Sequence, residues 1–137
     1  MGYYMYQTDT SFKIEKKNQD AALTAIKALA GQETIKDSSG MHFSWVDTDE
    51  FLKAKTIHEA LDAWRWNTEV NDLGDINDLV FSGQKYGDDT VLFAAIAPHV
   101  EDGYIQMRGE DDAVWRWVFK NGVMKEIPGT VTIAFPE

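Results

Sequence analysis

The segment 109–122, Gly-Glu-Asp-Asp-Ala-Val-Trp-Arg-Trp-Val-Phe-Lys-Asn-Gly, restricts what this chain can fold into more than any other. It reads as a turn, a strong strand and a second turn. β-Branched and aromatic residues favour the pleated backbone, and Asn-Gly is the pair that suits a two-residue type I′ hairpin. Side chains alternate along a strand. Trp115, Trp117 and Phe119 therefore share one face, and Val114, Arg116 and Val118 share the other. Both faces are bulky, so alternation alone does not decide which is covered.

The surrounding pattern continues this strand into a meander. Residues 104–108, 114–119, 123–127 and 130–135 read as successive strands, with Gly109, Asn121-Gly122 and Pro128-Gly129 as their turns. Helices precede them. Asn18 is expected to cap a helix that runs to Ala30 and is ended by Gly31, with an apolar stripe of Ala22, Leu23, Ile26, Leu29 and Ala30. Asp47 with Glu50, and Thr56 with Glu59, repeat the spacing of a cap and a carboxylate three residues on. The second of these opens a helix with a buried stripe of Ile57, Ala60, Leu61 and Trp64, and Trp64-Arg65-Trp66 ends it. Gly87-Asp88-Asp89 opens an apolar helix over 90–97, closed by Pro98. Short strands are expected at 11–15, at 42–46 with Phe43 and Trp45 on one face, and at 79–81 after a turn over 71–78. Residues 1–10 show no period.

Helices early and strands late give an α+β fold: a mainly antiparallel sheet, about three helices packed on one face, and a C-terminal β-meander. At 137 residues, with no repeat and no linker, the expectation is one domain over 1–137. The absence of cysteine excludes disulfides, thiolate metal sites and Cys nucleophiles, and agrees with a reducing compartment. No basic stretch followed by a long apolar run marks a signal peptide, and no apolar run is long enough to span a membrane. The expected location is cytoplasmic.

The net charge is −10, and it is unevenly placed: residues 47–112 hold 16 Asp or Glu against 5 Lys or Arg, a net of −11, and the rest hold 7 against 8, a net of +1. An acidic surface repels phosphate backbones, which argues against direct nucleic-acid binding. Solubility accounts for such a charge; a face competing for a basic groove, as a nucleic-acid mimic would, is the sharper reading.

Arginine is confined to Arg65, Arg108 and Arg116, and two of these stand between tryptophans, in Trp64-Arg65-Trp66 and Trp115-Arg116-Trp117. Tryptophan supplies a broad apolar face, and the guanidinium stacks and forks onto phosphate or carboxylate. Arg108, Arg116, Trp115, Trp117, Arg65 and Trp66 are therefore the candidate ligand-binding residues, for a nucleotide-type molecule or a protein partner. The same tryptophans also suit a core. If the Val114/Val118 face is covered, an aromatic row lies open and would be buried in a homodimer or higher homo-oligomer. If the tryptophan face is covered, Arg108 and Arg116 project together from the open one and could converge into an anion clamp.

Catalytic patterns are sparse. His42, His58 and His99 are scattered, and His58-Glu59 lacks the second helical His of a zinc protease. Asp47, Asp49 and Glu50 could bind a divalent ion, but the glycine and downstream spacing of an EF-hand are missing; a small hydrolase would hold its ion in the Asp47/Asp49/His58 region. No P-loop, dinucleotide fingerprint or nucleophile elbow occurs. No metal, no cofactor and no catalytic residue is assigned.

Several segments together resemble small bacteriophage and mobile-element proteins of no assigned function. They are Ala60-Leu61-Asp62-Ala63-Trp64-Arg65-Trp66, Gly87-Asp88-Asp89, Leu92-Phe93-x-x-Ile96-Ala97-Pro98, Tyr104-Ile105-x-Met107-Arg108-Gly109-Glu110-Asp111 and Trp115-Arg116-Trp117-Val118-Phe119. The resemblance covers roughly the last 95 residues and the opening Tyr3-Tyr4-Met5, and carries no site residues over. It implies a compact accessory protein in a bacterial cytoplasm that counters host defence by binding. The target would be a nucleotide second messenger or, through the acidic span, a host defence nuclease.

Overall fold

The computed structural model describes residues 3–33, 35–37 and 40–130. Strand β1 covers Met5–Ser11, and a 3-10 turn at Lys16–Asn18 leads into helix α1, Gln19–Lys27. Short strands β2, Ile35–Asp37, and β3, Gly40–His42, pair with each other. Helices α2, Thr48–Lys53, and α3, Ile57–Ala63, precede the hairpin of β4, Trp66–Val70, and β5, Ile76–Phe81. Helix α4, Asp89–Ile96, is followed by the meander β6, Gly103–Gly109, β7, Val114–Lys120, and β8, Val123–Pro128.

The main sheet has the order β1-β6-β7-β8, antiparallel throughout. The architecture is therefore α+β with its strands gathered at the C-terminal side. The turn between β7 and β8 forms as the Asn-Gly pair requires, with φ of 53° at Asn121 and 77° at Gly122. That turn sets Lys120 opposite Val123, Val118 opposite Lys125 and Arg116 opposite Ile127.

Both anticipated caps are present. Asp47 Oδ1 accepts the Glu50 N–H at 3.1 Å, and Thr56 Oγ1 accepts the Glu59 N–H at 3.3 Å. Each satisfies one donor that the first helical turn leaves unpaired. Ile57, Ala60, Leu61 and Trp64 are all buried, as the stripe requires.

Four local expectations are corrected. Residues 1–10 are not patternless, since Met5 to Thr10 belong to β1. Its alternation is obscured because the inward Gln7 is polar: its amide accepts from Phe81 N at 2.9 Å and donates to Leu79 O at 2.7 Å, which joins β1 to β5. Asn18 does not cap with its side chain, because the 3-10 turn delivers the chain into α1, and α1 stops at Lys27 rather than Ala30. Phe43 is buried while Trp45 is 53% exposed, because the backbone turns at Trp45, where φ is 63°. Trp64-Arg65-Trp66 does not lie within a helix end: Arg65, at φ 73°, reverses the chain so that Trp66 begins β4. The strand expected at 130–135 lies outside the described residues beyond 130.

The core lies between the helices and one face of the main sheet. Phe93 of α4 is its centre, with ring centroids 5.0 Å from Trp117, 5.1 Å from Trp66 and 5.9 Å from Phe119. Burying aromatic rings of this size dominates the favourable term in folding. Among the described residues, no helix is long and apolar enough to cross a membrane.

Candidate functional site

Alternation along β7 is resolved by α4. Phe93 on its apolar side packs on Trp117 and Phe119, and Tyr3 and Tyr86 pack on Trp115; Trp117, Phe119 and Trp115 are 0%, 1% and 9% exposed. Trp117 Nε1 also donates to Thr90 Oγ1 at 3.1 Å and Glu126 Oε1 at 3.0 Å. These rings are core, so they do not form the exposed aromatic row that the alternative reading of β7 required. Val114, Arg116, Val118 and Lys120 fall on the opposite, open face.

The other tryptophan-flanked arginine is also taken up internally. Arg65 Nη1 donates to Lys85 O at 2.7 Å, and Nη2 contacts Asp89 Oδ2 at 3.1 Å. Asp89 is 1% exposed and also accepts from Trp66 Nε1 at 3.0 Å and Gly87 N at 3.1 Å. Burial pushes the Asp89 carboxyl above the usual carboxylate range, and the guanidinium and N–H donors around it pull in the opposite direction. Burial likewise lowers Arg65, against the pull of Asp89. This cluster joins the start of β4 to the start of α4. The six candidate residues thus separate into two groups: Trp66, Arg65, Trp115 and Trp117 inside, Arg108 and Arg116 on the open face.

The open face carries a connected polar row. Residues directly opposite in neighbouring strands share a face, which places Tyr6 beside Arg108 and Gln106 beside Arg116. The Arg116 guanidinium lies 4.0 Å from the Tyr104 ring centroid, and its Nε donates to Gln106 Oε1 at 2.8 Å. Gln106 Nε2 donates to Thr8 Oγ1 at 3.1 Å, and the Tyr104 hydroxyl donates to Asp9 Oδ2 at 2.7 Å. Tyr104 is pushed up first by that hydrogen bond to Asp9. Arg108 pairs with Asp112 at 3.1 Å, whereas Arg116 has no carboxylate partner among the described residues. A hollow of about 400 Å³ flanks Arg116, with Gln106 and Ile127 in its wall. A second of about 430 Å³ lies further along the face, against Val118, Lys120, Val123 and Lys125.

Among the described residues of these strands, Arg108, Arg116, Lys120 and Lys125 share the open face with Asp9, and Asp112 pairs with Arg108 at its edge, so this face is net cationic on a chain of net charge −10. Sequence reasoning did not include Tyr6, Tyr104, Gln106, Lys120 or Lys125. The register set by Asn121-Gly122 would have placed both lysines on the Arg116 face.

The Asp47/Asp49/His58 grouping is not assembled. Asp47 is occupied as a helix cap, and His58 Nδ1 lies 2.7 Å from Thr68 Oγ1. Among the described residues, no three His, Asp or Glu side chains gather as a metal would require.

No family model, no curated protein and no solved structure matches this chain.

Proposed function

We propose that this chain is a bacteriophage-type accessory protein that counters bacterial defence from the host cytoplasm by binding rather than by turnover, and that the Arg116 face of the main sheet holds a nucleotide signal. The observation that carries this reading is Arg116. Its guanidinium is stacked on Tyr104 and anchored through Nε by Gln106, yet no described carboxylate neutralises it. A planar, pre-oriented cation beside a hollow suits a phosphate group. Lys120 and Lys125 add positive charge on the same face. Tyr6, 52% exposed beside Arg108, is the ring on which a base would stack, since Trp115 and Trp117 are covered.

Calorimetry with cyclic di- and trinucleotides and cyclic ADP-ribose isomers tests this. Saturable heat with one of them, lost in Arg116→Ala while the fold is retained, is the expected result. No heat with any removes nucleotide sequestration.

A second reading draws on α2 and α3. Glu50, Glu59 and Asp62 share a hollow of about 320 Å³ with Lys53 as the lone cation in its wall, inside the acidic span 47–112. That surface would oppose the basic groove of a host defence nuclease. Pull-down of a host nuclease whose binding falls steeply between low and high salt supports it, because exposed charges are screened. Salt-indifferent binding counts against it.

A further inference from the structure

Around the edge of β7 from Arg116, the adjoining hollow has the reverse electrostatics. Three aromatic rings meet where the N-terminal segment passes β7 and the loop before α4. Tyr3 is edge-on to Tyr86 with centroids 6.5 Å apart, and Tyr86 is edge-on to Trp115 at 5.7 Å. Tyr3 and Trp115 are tilted at 6.4 Å. The rings line a hollow of about 330 Å³ together with Ala113, Val114, Pro128 and Glu126, and among the described residues no Lys or Arg lines it.

The carboxylate is held in place. Glu126 Oε1 accepts from the Tyr86 hydroxyl at 3.2 Å, Thr90 Oγ1 at 3.0 Å and Trp117 Nε1 at 3.0 Å. Asp111 accepts the Tyr3 hydroxyl and fixes that ring from the other side. Aromatic faces carry negative potential, as do the carboxylates of Glu126 and Asp111, and no Lys or Arg is among the described residues that line the hollow.

We infer that this hollow is a binding site for a methylated ammonium group, as carried by a trimethylated lysine side chain or a choline-type headgroup. A bare ammonium needs several acceptors to replace its water, and these walls are mostly apolar. Methylation removes the donors, spreads the charge over the methyl groups, and lets each methyl rest on a ring. Val114, Trp115 and Pro128 also line the hollow beside Arg116, but neither Arg116 nor any other charged residue is common to the two, so the cation would be held by a different set of groups.

The test is a titration followed through the indole N–H resonances of the full chain. Trp115 Nε1 is buried without a hydrogen-bond partner among the described residues, so its signal reports on contacts at the ring itself. Trp115→Phe assigns it. Choline and Nε-trimethyllysine should shift this resonance saturably. Unmethylated lysine and 3,3-dimethylbutan-1-ol, the neutral carbon analogue of choline, should leave it in place. Glu126→Gln keeps the acceptor for Trp117 but removes the charge, and should weaken choline binding about fivefold. Tyr86→Leu should abolish binding, with the other indole signals confirming the fold. An equal response to choline and its neutral analogue would reduce the site to an apolar dent, and no response to either cation would overturn it. A response to free choline but none to a trimethyllysine peptide would assign the site to small molecules; the reverse would assign it to a modified protein.

Discussion

Arg116 and Trp117 are adjacent in the chain, yet their side chains occupy opposite environments. Trp117 is fully buried among Trp66, Phe93 and Trp115, while Arg116 stands exposed over Tyr104. One side of β7 holds the fold together and the other is free to meet a partner. The lesson is that a Trp-Arg-Trp motif in a strand is two half-motifs pointing apart. It could act as one recognition surface only if the strand were open on both faces, and α4 closes one of them.

The sharpest way to break this contrast is to truncate each face in turn. Trp117→Ala should lower unfolding free energy in urea by ~3–5 kcal/mol, from lost burial plus the cavity left behind. Asp89→Ala comes next, at roughly 3 kcal/mol in the same assay, because it strands Arg65 without its partner; Arg65, 15% exposed, recovers part of this through water. Gly122→Ala, in the turn that sets the β7–β8 register, should cost ~1 kcal/mol, since φ of 77° is strained for any residue with a Cβ. Arg116→Ala should change stability by no more than ~0.5 kcal/mol. A large loss there would mean that the open face is structural after all.

The smallest effect concerns pH. The Tyr3 hydroxyl bonded to Asp111 is pushed up to about 12 from an ordinary 10.0, first by that hydrogen bond, and Asp111 is correspondingly lowered. Both signs follow from the same contact. Its contribution is complete at neutral pH. It is lost on the alkaline side as pH rises from 10 through about 12, and on the acid side as pH falls through the depressed Asp111 value. Tyr3→Phe should remove the highest-pH step of the tyrosinate absorbance curve and leave the covered face of β7 undisturbed.

Much of the architecture was legible because its signals were local. The caps at Asp47 and Thr56, the Asn121-Gly122 turn and the stripe of α3 each depend on residues a few positions apart. What was missed depends on distant partners. β1 pairs with a strand almost a hundred residues later, and the inward Gln7 breaks its apolar alternation to bond β5. Arg65 and Trp45 take positive φ, which no propensity of Arg or Trp foretells. The candidate site was half legible: alternation offered Arg108 with Arg116 as one of two outcomes, and only the covering helix chose between them. Tyr104 and Gln106 became relevant once the β6–β7 register showed what Arg116 rests on.

The pairing of β1 with β6 also fixes an order of events during synthesis. Strand β1 has no neighbour in the main sheet until Gly103–Gly109 has followed it out of the ribosome. Until then β1 has only its bonds to the β5 region, those of Gln7 with Leu79 and Phe81 and of Met5 N with Gln84 O. Closing so long a loop before its contacts give any return slows the approach to the native state. The nascent chain therefore stays open to chaperones or to premature strand pairing until its C-terminal meander is complete.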